Sequence, residues 1–159
     1  MMPGLRRQGS FPEMSLPDLT GTRRPLAETW ATGAALLLIG HGDCKTTRQV
    51  LPYLDRLHRR RGPGSSVRLL LQDDADAARR LVSELKLEVP VGLEEDPYPL
   101  AKALGLVAVP TLFLLRHGGA IASVSEGFNR AELESLAVSL GVQGPLFTPG
   151  DEAPAFRPG

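Results

Sequence analysis

The sequence predicts an α/β protein with a central mixed sheet and helices on both faces of that sheet. Continuous apolar runs predict strands that are covered on both sides, and stretches with apolar residues three and four apart predict amphipathic helices. These two kinds of segment alternate along the chain, which favours a mainly parallel sheet. A turn signal at His117-Gly118-Gly119 indicates a hairpin and adds an antiparallel edge.

Three strands and two helices are predicted in the first half of the chain. Residues 13–26 give a short strand, because their Pro-Asp and Thr-Gly pairs are turn formers that bound it. The apolar runs Ala34–His41 and Val67–Leu71 predict buried strands. Residues 44–60 and 74–87 each carry one apolar stripe at helical spacing, so each predicts a helix that packs on the sheet.

The second half predicts three more strands and two more helices. Val89–Leu93 is a short apolar run, and Val107–Leu115 is a long one that pairs with Ala120–Ser125 across the glycine turn. Residues 96–105 begin with an Asp-Pro pair, an N-cap followed by proline at the first helical position, and end at a glycine. Residues 129–141 begin with an asparagine and, three residues later, a glutamate that imitate a capping box.

Length and composition indicate one domain, with a flexible N-terminus over 1–10, a folded part over 11–143 and a Pro/Gly-rich tail over 144–159. The 18 basic side chains balance 18 acidic ones, which argues against a nucleic-acid partner. No stretch approaches the ~20 apolar residues of a membrane span, and no apolar segment of a signal peptide follows Arg6 and Arg7. We therefore expect a soluble, cytoplasmic protein, with export of a longer parent chain left open.

The only cysteine, Cys44, lies where an apolar strand gives way to a helix. Unpaired N–H groups and the positive end of the helix dipole occur at such a position, and both favour the thiolate, which is the nucleophilic form. One cysteine allows no disulfide within the chain. The sequence therefore predicts a free thiol at a helix start, which is either reactive or a small buried apolar group.

Several separated segments agree in order with one known family. The chain contains PEMSLPDLTG near its start, Cys44-Lys45-Thr46-Thr47 followed by Pro52, and Val109-Pro110-Thr111 before the glycine turn. Over residues 11–141 it resembles the thioredoxin-like superfamily, in particular its TlpA/AhpC-TSA branch. The resemblance implies a three-layer sandwich with an N-terminal β extension. It also implies a cis bond before Pro110 that exposes the preceding backbone to an extended partner.

The chain departs from the pattern of that family at three positions, one of which is near Leu38, where some thioredoxins carry a buried carboxylate. Thr47 stands where the resemblance implies a resolving cysteine, and Asp43 stands where it implies an aromatic residue. Without a second sulfur, a mixed disulfide at Cys44 needs an external thiol to resolve it. A peroxiredoxin has the reverse arrangement, Thr-x-x-Cys, which argues against a peroxidatic role for Cys44.

Four residues near Cys44 bear on its chemistry. The Thr47 hydroxyl, one turn along the helix, could donate to the thiolate, and Lys45 brings a positive charge, so both favour ionisation, whereas Asp43 opposes it. His41 either acts as a general base or merely ends the strand. His41, Asp43 and Cys44 are metal-ligand types, but their spacing matches no zinc pattern, so we expect no metal or other cofactor.

Thiol–disulfide exchange is the leading hypothesis, with Cys44 as nucleophile, Thr47 as its helper and a protein or low-molecular-weight thiol or disulfide as partner. Partner-binding residues would be Asp43, Lys45, Val109, Pro110 and Thr111. A non-enzymatic binding module with the same groove and a one-cysteine peroxidase are the alternatives. The tail over 144–159 echoes the opening of another such domain, fits the groove of this or a neighbouring molecule, or has no function.

Overall fold

A five-stranded mixed sheet lies between two layers of helices in this protein, for which a computed structural model describes residues 4–159. The strands in chain order are β1 (Ser15–Pro17), β2 (Arg23–Pro25), β3 (Ala35–Gly40), β4 (Ser66–Leu71), β5 (Val91–Leu93), β6 (Thr111–Leu115), β7 (Ile121–Glu126), β8 (Phe128–Asn129) and β9 (Phe156–Arg157). The helices are α1 (Lys45–Arg60), α2 (Ala75–Leu85), α3 (Pro99–Leu104) and α4 (Arg130–Ser139), with a 3-10 helix at Leu26–Trp30.

The main sheet has the strand order β5-β4-β3-β6-β7. Strands β3, β4 and β5 are parallel, whereas β6 runs antiparallel to β3 and forms a hairpin with β7. Two short antiparallel pairs, β1 with β2 and β8 with β9, lie outside this sheet. The predicted parallel centre with an antiparallel edge is confirmed. The carboxyl ends of β3 and β4 meet at one edge, which is the usual place for a site in such a sheet.

Both faces of β3 are buried, as its continuous apolar sequence predicts. Leu36 and Leu38 join the core formed with α1, α2 and α4, while Leu37 and Ile39 join the core formed with α3 and the 3-10 helix. Successive side chains of a strand point to opposite faces, so each face needs its own cover. The two cores give the three-layer arrangement that the sequence predicts.

The helix predicted over 96–105 begins at Pro99, so the prediction of Asp96 as its N-cap is wrong. The N-cap is Tyr98, which has a left-handed φ of 58° and makes no side-chain cap hydrogen bond. The carboxylate of buried Glu94 takes that role, because it accepts from the N–H groups of the second and third helical residues, Leu100 and Ala101, at 2.6 and 2.9 Å. A buried acceptor thus satisfies N–H groups that would otherwise have no partner.

Strand β6 is shorter than the predicted strand Val107–Leu115, because it starts at Thr111. Pro110 has no N–H to donate to the ladder, and the pairing with β3 begins one residue later, opposite Ile39. The bond before Pro110 is cis, the isomer that the resemblance implies. Since β6 runs antiparallel to β3, the loop 107–110 lies at the edge of the sheet where β3 ends.

Both terminal segments contact the folded part. Of the predicted flexible segment 1–10, the first three residues lie outside the described residues, and the Arg6 N–H donates to the carbonyl of the last residue of α3 at 2.6 Å. In the tail 144–159, Leu146 and Phe147 are buried, and β9 pairs with β8. No helix in the described part of the chain is long and apolar enough to cross a membrane.

Candidate active site

Cys44 is the N-cap of α1, as its position in the sequence predicts. Its carbonyl accepts the first hydrogen bond of the helix, from Arg48 at 3.1 Å, and its sulfur accepts from the Thr47 N–H at 3.5 Å. The turn after β3 positions the residue, because the Cys44 N–H donates to the His41 carbonyl at 3.0 Å. The side chain is half-buried, so part of it is open to solvent.

The loop before β6 lies directly against Cys44. As a thiol, Sγ donates to the Val109 carbonyl at 3.5 Å, although the two residues are 65 positions apart. Thr111 is buried behind this loop, and its hydroxyl donates to the Ala108 carbonyl at 2.8 Å. The structure thus brings Cys44, Val109 and Pro110 together, and Thr111 fixes the shape of the loop.

Thr47 is fully buried between the sulfur and the end of β3. Its hydroxyl accepts from the His41 N–H at 3.5 Å and, through its closeness to the sulfur, lowers the pKa of Cys44. Gly40 leaves the space that Thr47 needs, because a Cβ at Gly40 would lie 2.7 Å from the Thr47 methyl group. Sequence reasoning treated Gly40 only as part of an apolar run, and nothing local signals this contact.

The surroundings lower the pKa of Cys44 below its ordinary value of 9.0. Burial is the largest single influence and by itself raises the pKa, because the charged form loses hydration. Hydrogen bonds from the Thr47 hydroxyl and from the N–H groups of Thr47 and Thr46, together with the positive charge of Arg157, outweigh burial. Since the thiolate is the nucleophile, this arrangement favours attack by the sulfur.

The two charged neighbours that the sequence singles out both lie at the surface. The Asp43 side chain is 95% exposed, so solvent screens the charge that was expected to oppose ionisation of the thiol. Lys45 is exposed as well. The cation that lowers the pKa of Cys44 is Arg157, which lies in the tail and which the sequence analysis did not identify.

His41 faces a buried carboxylate. Its Nδ1 accepts the Asp43 N–H at 3.1 Å and lies 3.5 Å from Oδ1 of Asp73. Asp73 also accepts the Gly42 N–H at 2.9 Å, so it fixes the turn between β3 and α1. Within residues 4–159, no hydrogen bond joins the imidazole to the Cys44 sulfur, and no group of three or more His, Cys, Asp or Glu could hold a metal ion. An acidic residue just after a neighbouring parallel strand is the signal that could have indicated Asp73.

The end of the tail lies on the same site. The Thr46 hydroxyl donates to the Pro158 carbonyl at 2.7 Å. Gly159 packs against the loop before β6, because a Cβ at Gly159 would overlap the Val109 carbonyl oxygen. Of the alternatives that the sequence leaves open for the tail, the structure shows contact with the groove of its own molecule.

Comparison with known proteins identifies the fold. No protein-family model matches the chain, and no curated protein matches it. Solved structures do match. A protein assigned as the thiol:disulfide interchange protein DsbE of Chlorobium tepidum has a TM-score of 0.75 and 21% identity, over 86% of this chain and 96% of that chain. The thioredoxin domain of a thiol-disulfide oxidoreductase from Bacteroides vulgatus has a TM-score of 0.73 and 17% identity, over 85% and 97%.

Peroxidoxin BcpB from Mycobacterium tuberculosis is a third similar structure, with a TM-score of 0.70 and 15% identity, over 86% of this chain and 96% of that chain. Similarity at these identities defines a shared fold. The chain therefore has a thioredoxin-like fold, and the predicted three-layer architecture is confirmed.

Proposed function

We propose that this protein takes part in thiol–disulfide exchange, with Cys44 as the nucleophile that forms transient mixed disulfides. The observation that supports this most directly is the half-buried sulfur at the N-cap of α1, 3.5 Å from the Val109 carbonyl. Hydrogen bonds from α1 and the charge of Arg157 lower the pKa of this thiol. Similar solved structures include a thiol:disulfide interchange protein and a thiol-disulfide oxidoreductase, which supports the same class of chemistry here.

The exchange consists of two attacks by thiolates on disulfides. The Cys44 thiolate attacks one sulfur of the partner disulfide, so a bond from Cys44 to the partner forms, the partner S–S bond breaks, and the leaving thiolate takes up a proton. Because Thr47 stands in the second motif position, a thiol from outside the chain then gives up its proton and attacks the mixed disulfide. The partner and the external thiol end joined by a disulfide, and Cys44 leaves as a thiolate.

The residues around Cys44 support both steps. Donors from Thr47 stabilise the thiolate when it attacks and again when it leaves, since a thiol of lower pKa leaves faster. An extended partner can align its main chain with Val109 beside Pro110, in the manner of strand addition. The role of His41 as a general base stays a prediction. Its Nδ1 already accepts the Asp43 N–H, so this nitrogen is engaged elsewhere than at the thiol.

A binding module without exchange chemistry is the second candidate. The buried Thr47 favours it, because the chain has no second sulfur to resolve a mixed disulfide. The two functions differ in their need for the sulfur. Replacement of Cys44 with serine abolishes covalent partner capture in the first case and leaves partner binding unchanged in the second.

Oxidised glutathione is a suitable probe for the exchange reaction. We expect intact-protein mass spectrometry to show one glutathione adduct at neutral pH, which dithiothreitol releases. The matched control, Cys44→Ser, forms none. The same reaction is carried out on a variant that ends at Ala155, in which the end of the tail cannot hide the thiol from glutathione. If neither chain forms the adduct while an unstructured cysteine peptide does, exchange through Cys44 is refuted. A sulfenate at Cys44 after mild peroxide treatment, without exchange, indicates the peroxidase instead.

A further inference from the structure

The tail is anchored along α1 before it reaches Cys44. The buried ring of Phe147 packs 4.6 Å from the ring of Tyr53, between centroids. Arg56 forms a salt bridge with Asp151, with 2.8 Å between Nη1 and Oδ2. Both α1 residues lie in the C-terminal half of the helix, and from them the tail runs back towards its N-terminal end.

Residues 156–159 lie in the groove between α1 and the loop before β6. Strand β9 pairs antiparallel with β8, and the Thr46 hydroxyl donates to the Pro158 carbonyl at 2.7 Å. Gly159 contacts the Val109 carbonyl so closely that no side chain fits there. The same carbonyl accepts from the Cys44 thiol. The tail therefore occupies the space in which an extended partner would approach the sulfur.

We propose that residues 156–159 are an internal peptide in this groove, which an extended polypeptide partner must displace to react at Cys44. The inference rests on the proposed function, since it concerns access to the same sulfur. The contacts of the segment are short strand pairing, one hydrogen bond to its main chain, one glycine–carbonyl contact and one side-chain hydrogen bond from Arg157 to Gln49, so most of them involve its backbone. A partner segment of different sequence can replace such contacts, because strand addition depends mainly on main-chain hydrogen bonds.

The anchors make this displacement reversible. Phe147 and Asp151 stay bound to α1 when the last four residues leave, so the segment remains close to its groove. A short tether of this kind gives an effective concentration on the order of millimolar. A weakly binding polypeptide therefore reaches Cys44 rarely, and a partner that binds the groove well is favoured.

Arg157 is a second link between the docked segment and the sulfur. Its positive charge is one of the influences that lower the pKa of Cys44, and its side chain donates to the Gln49 side chain at 3.3 Å. When the segment leaves the groove, this charge leaves with it. The undocked protein therefore loses one of the influences that lower the pKa of Cys44, while relief of burial acts in the opposite direction, so access to the thiol is the property that reports docking.

A matched pair of glycine substitutions tests the proposal in the full chain. In Gly159→Ala the new Cβ would overlap the Val109 carbonyl oxygen, so the end of the tail must shift away from that carbonyl, which weakens its docking. In Gly150→Ala, within the same tail, the new Cβ has no atom within 4 Å and the tail stays docked. A third variant ends at Ala155 and keeps both anchors. Thermal unfolding followed by circular dichroism verifies that each variant is folded.

The readout is the rate of Cys44 alkylation by a bulky maleimide, measured above the pKa so that the thiol is fully ionised. If the groove is open about a tenth of the time, we expect a rise of roughly tenfold in Gly159→Ala and in the shortened chain, and none in Gly150→Ala. A synthetic Ala-Phe-Arg-Pro-Gly peptide is expected to slow the alkylation of Cys44 in the shortened chain, and a scrambled peptide is not.

Wild-type alkylation rates in both Gly159→Ala and the shortened chain overturn the proposal. Alkylation reports access to the sulfur whether or not exchange occurs. Faster alkylation of the variants without any glutathione adduct therefore refutes the proposed function and retains the internal peptide. Formation of the glutathione adduct together with equal alkylation rates in all chains retains the proposed function and refutes the internal peptide.

Discussion

The substitution Thr47→Val removes one donor to the Cys44 sulfur and changes little else. Valine has nearly the same shape as threonine, so the buried position beside Gly40 remains filled. The N–H of residue 47 still donates to the sulfur, but the hydroxyl does not. The weak hydrogen bond of 3.5 Å from the His41 N–H is lost as well. We expect the pKa of Cys44 to rise.

The size of the effect follows from the hydrogen bond that is lost. A hydrogen bond to a charged group contributes ~1.5–3 kcal/mol, and the half-buried sulfur favours the lower end, which corresponds to a pKa rise of about one unit. At pH values well below both pKa values the thiolate fraction then falls about tenfold. A thiolate of higher pKa is intrinsically more nucleophilic, by roughly threefold per unit, so the net alkylation rate falls roughly threefold. Above both pKa values the variant reacts faster.

The assay is alkylation by iodoacetamide as a function of pH, in which the profiles of wild type and Thr47→Val are expected to cross. Thr29→Val is the matched control, because it makes the same change at a buried position in the 3-10 helix. We expect the control to reproduce the wild-type profile. An unchanged midpoint in folded Thr47→Val would show that the hydroxyl does not stabilise the thiolate.

Three further predictions concern stability. Thr29→Val is expected to raise the free energy of unfolding by about 1 kcal/mol in urea, because its buried hydroxyl has no partner within residues 4–159, and a decrease contradicts this. Glu94→Ala is expected to lower that free energy by about 2 kcal/mol, since two N–H groups of α3 lose their acceptor. The control Glu95→Ala, at the exposed neighbouring position, is expected to change the free energy of unfolding little. Equal effects of the two substitutions would refute the capping role of Glu94. The hydrogen bond from Arg56 holds the pKa of Asp151 below its ordinary value of 3.8, so the carboxylate stabilises the fold fully above that pH and loses this effect as the pH falls further. Asp151→Asn is thus expected to have a lower free energy of unfolding than wild type at neutral pH, and the difference between the two proteins is expected to disappear in acid. A difference that grows in acid would contradict the stabilising role of the Asp151 carboxylate.

Local signals account for the parts of the site that the sequence predicts. The junction between β3 and α1 depends on an apolar run and a helical stripe, so Cys44 and Thr47 could be assigned to the start of α1 from neighbouring residues alone. The Asn129 cap of α4 is equally local, and its side chain accepts from the Glu132 N–H as expected.

Contacts between distant segments account for what the sequence does not predict. The start of α3 depends on Glu94, a buried carboxylate outside the helix, rather than on Asp96, which has the commoner capping pattern. The position of Arg157 beside Cys44 depends on how Phe147 and Asp151 pack against α1. No periodicity or spacing along the chain predicts these contacts, because they arise from the packing of segments that are distant in sequence.

A pH titration of the Cys44 thiolate tests the central claim most directly. The measurement is the ultraviolet absorbance of the thiolate in the wild-type protein, with the Cys44→Ser protein subtracted to remove the contribution of tyrosine. The helix N-cap, the Thr47 donors and the Arg157 charge predict a midpoint below 9.0. A midpoint at or above 9.0 would mean that burial dominates and that this sulfur is not prepared for exchange.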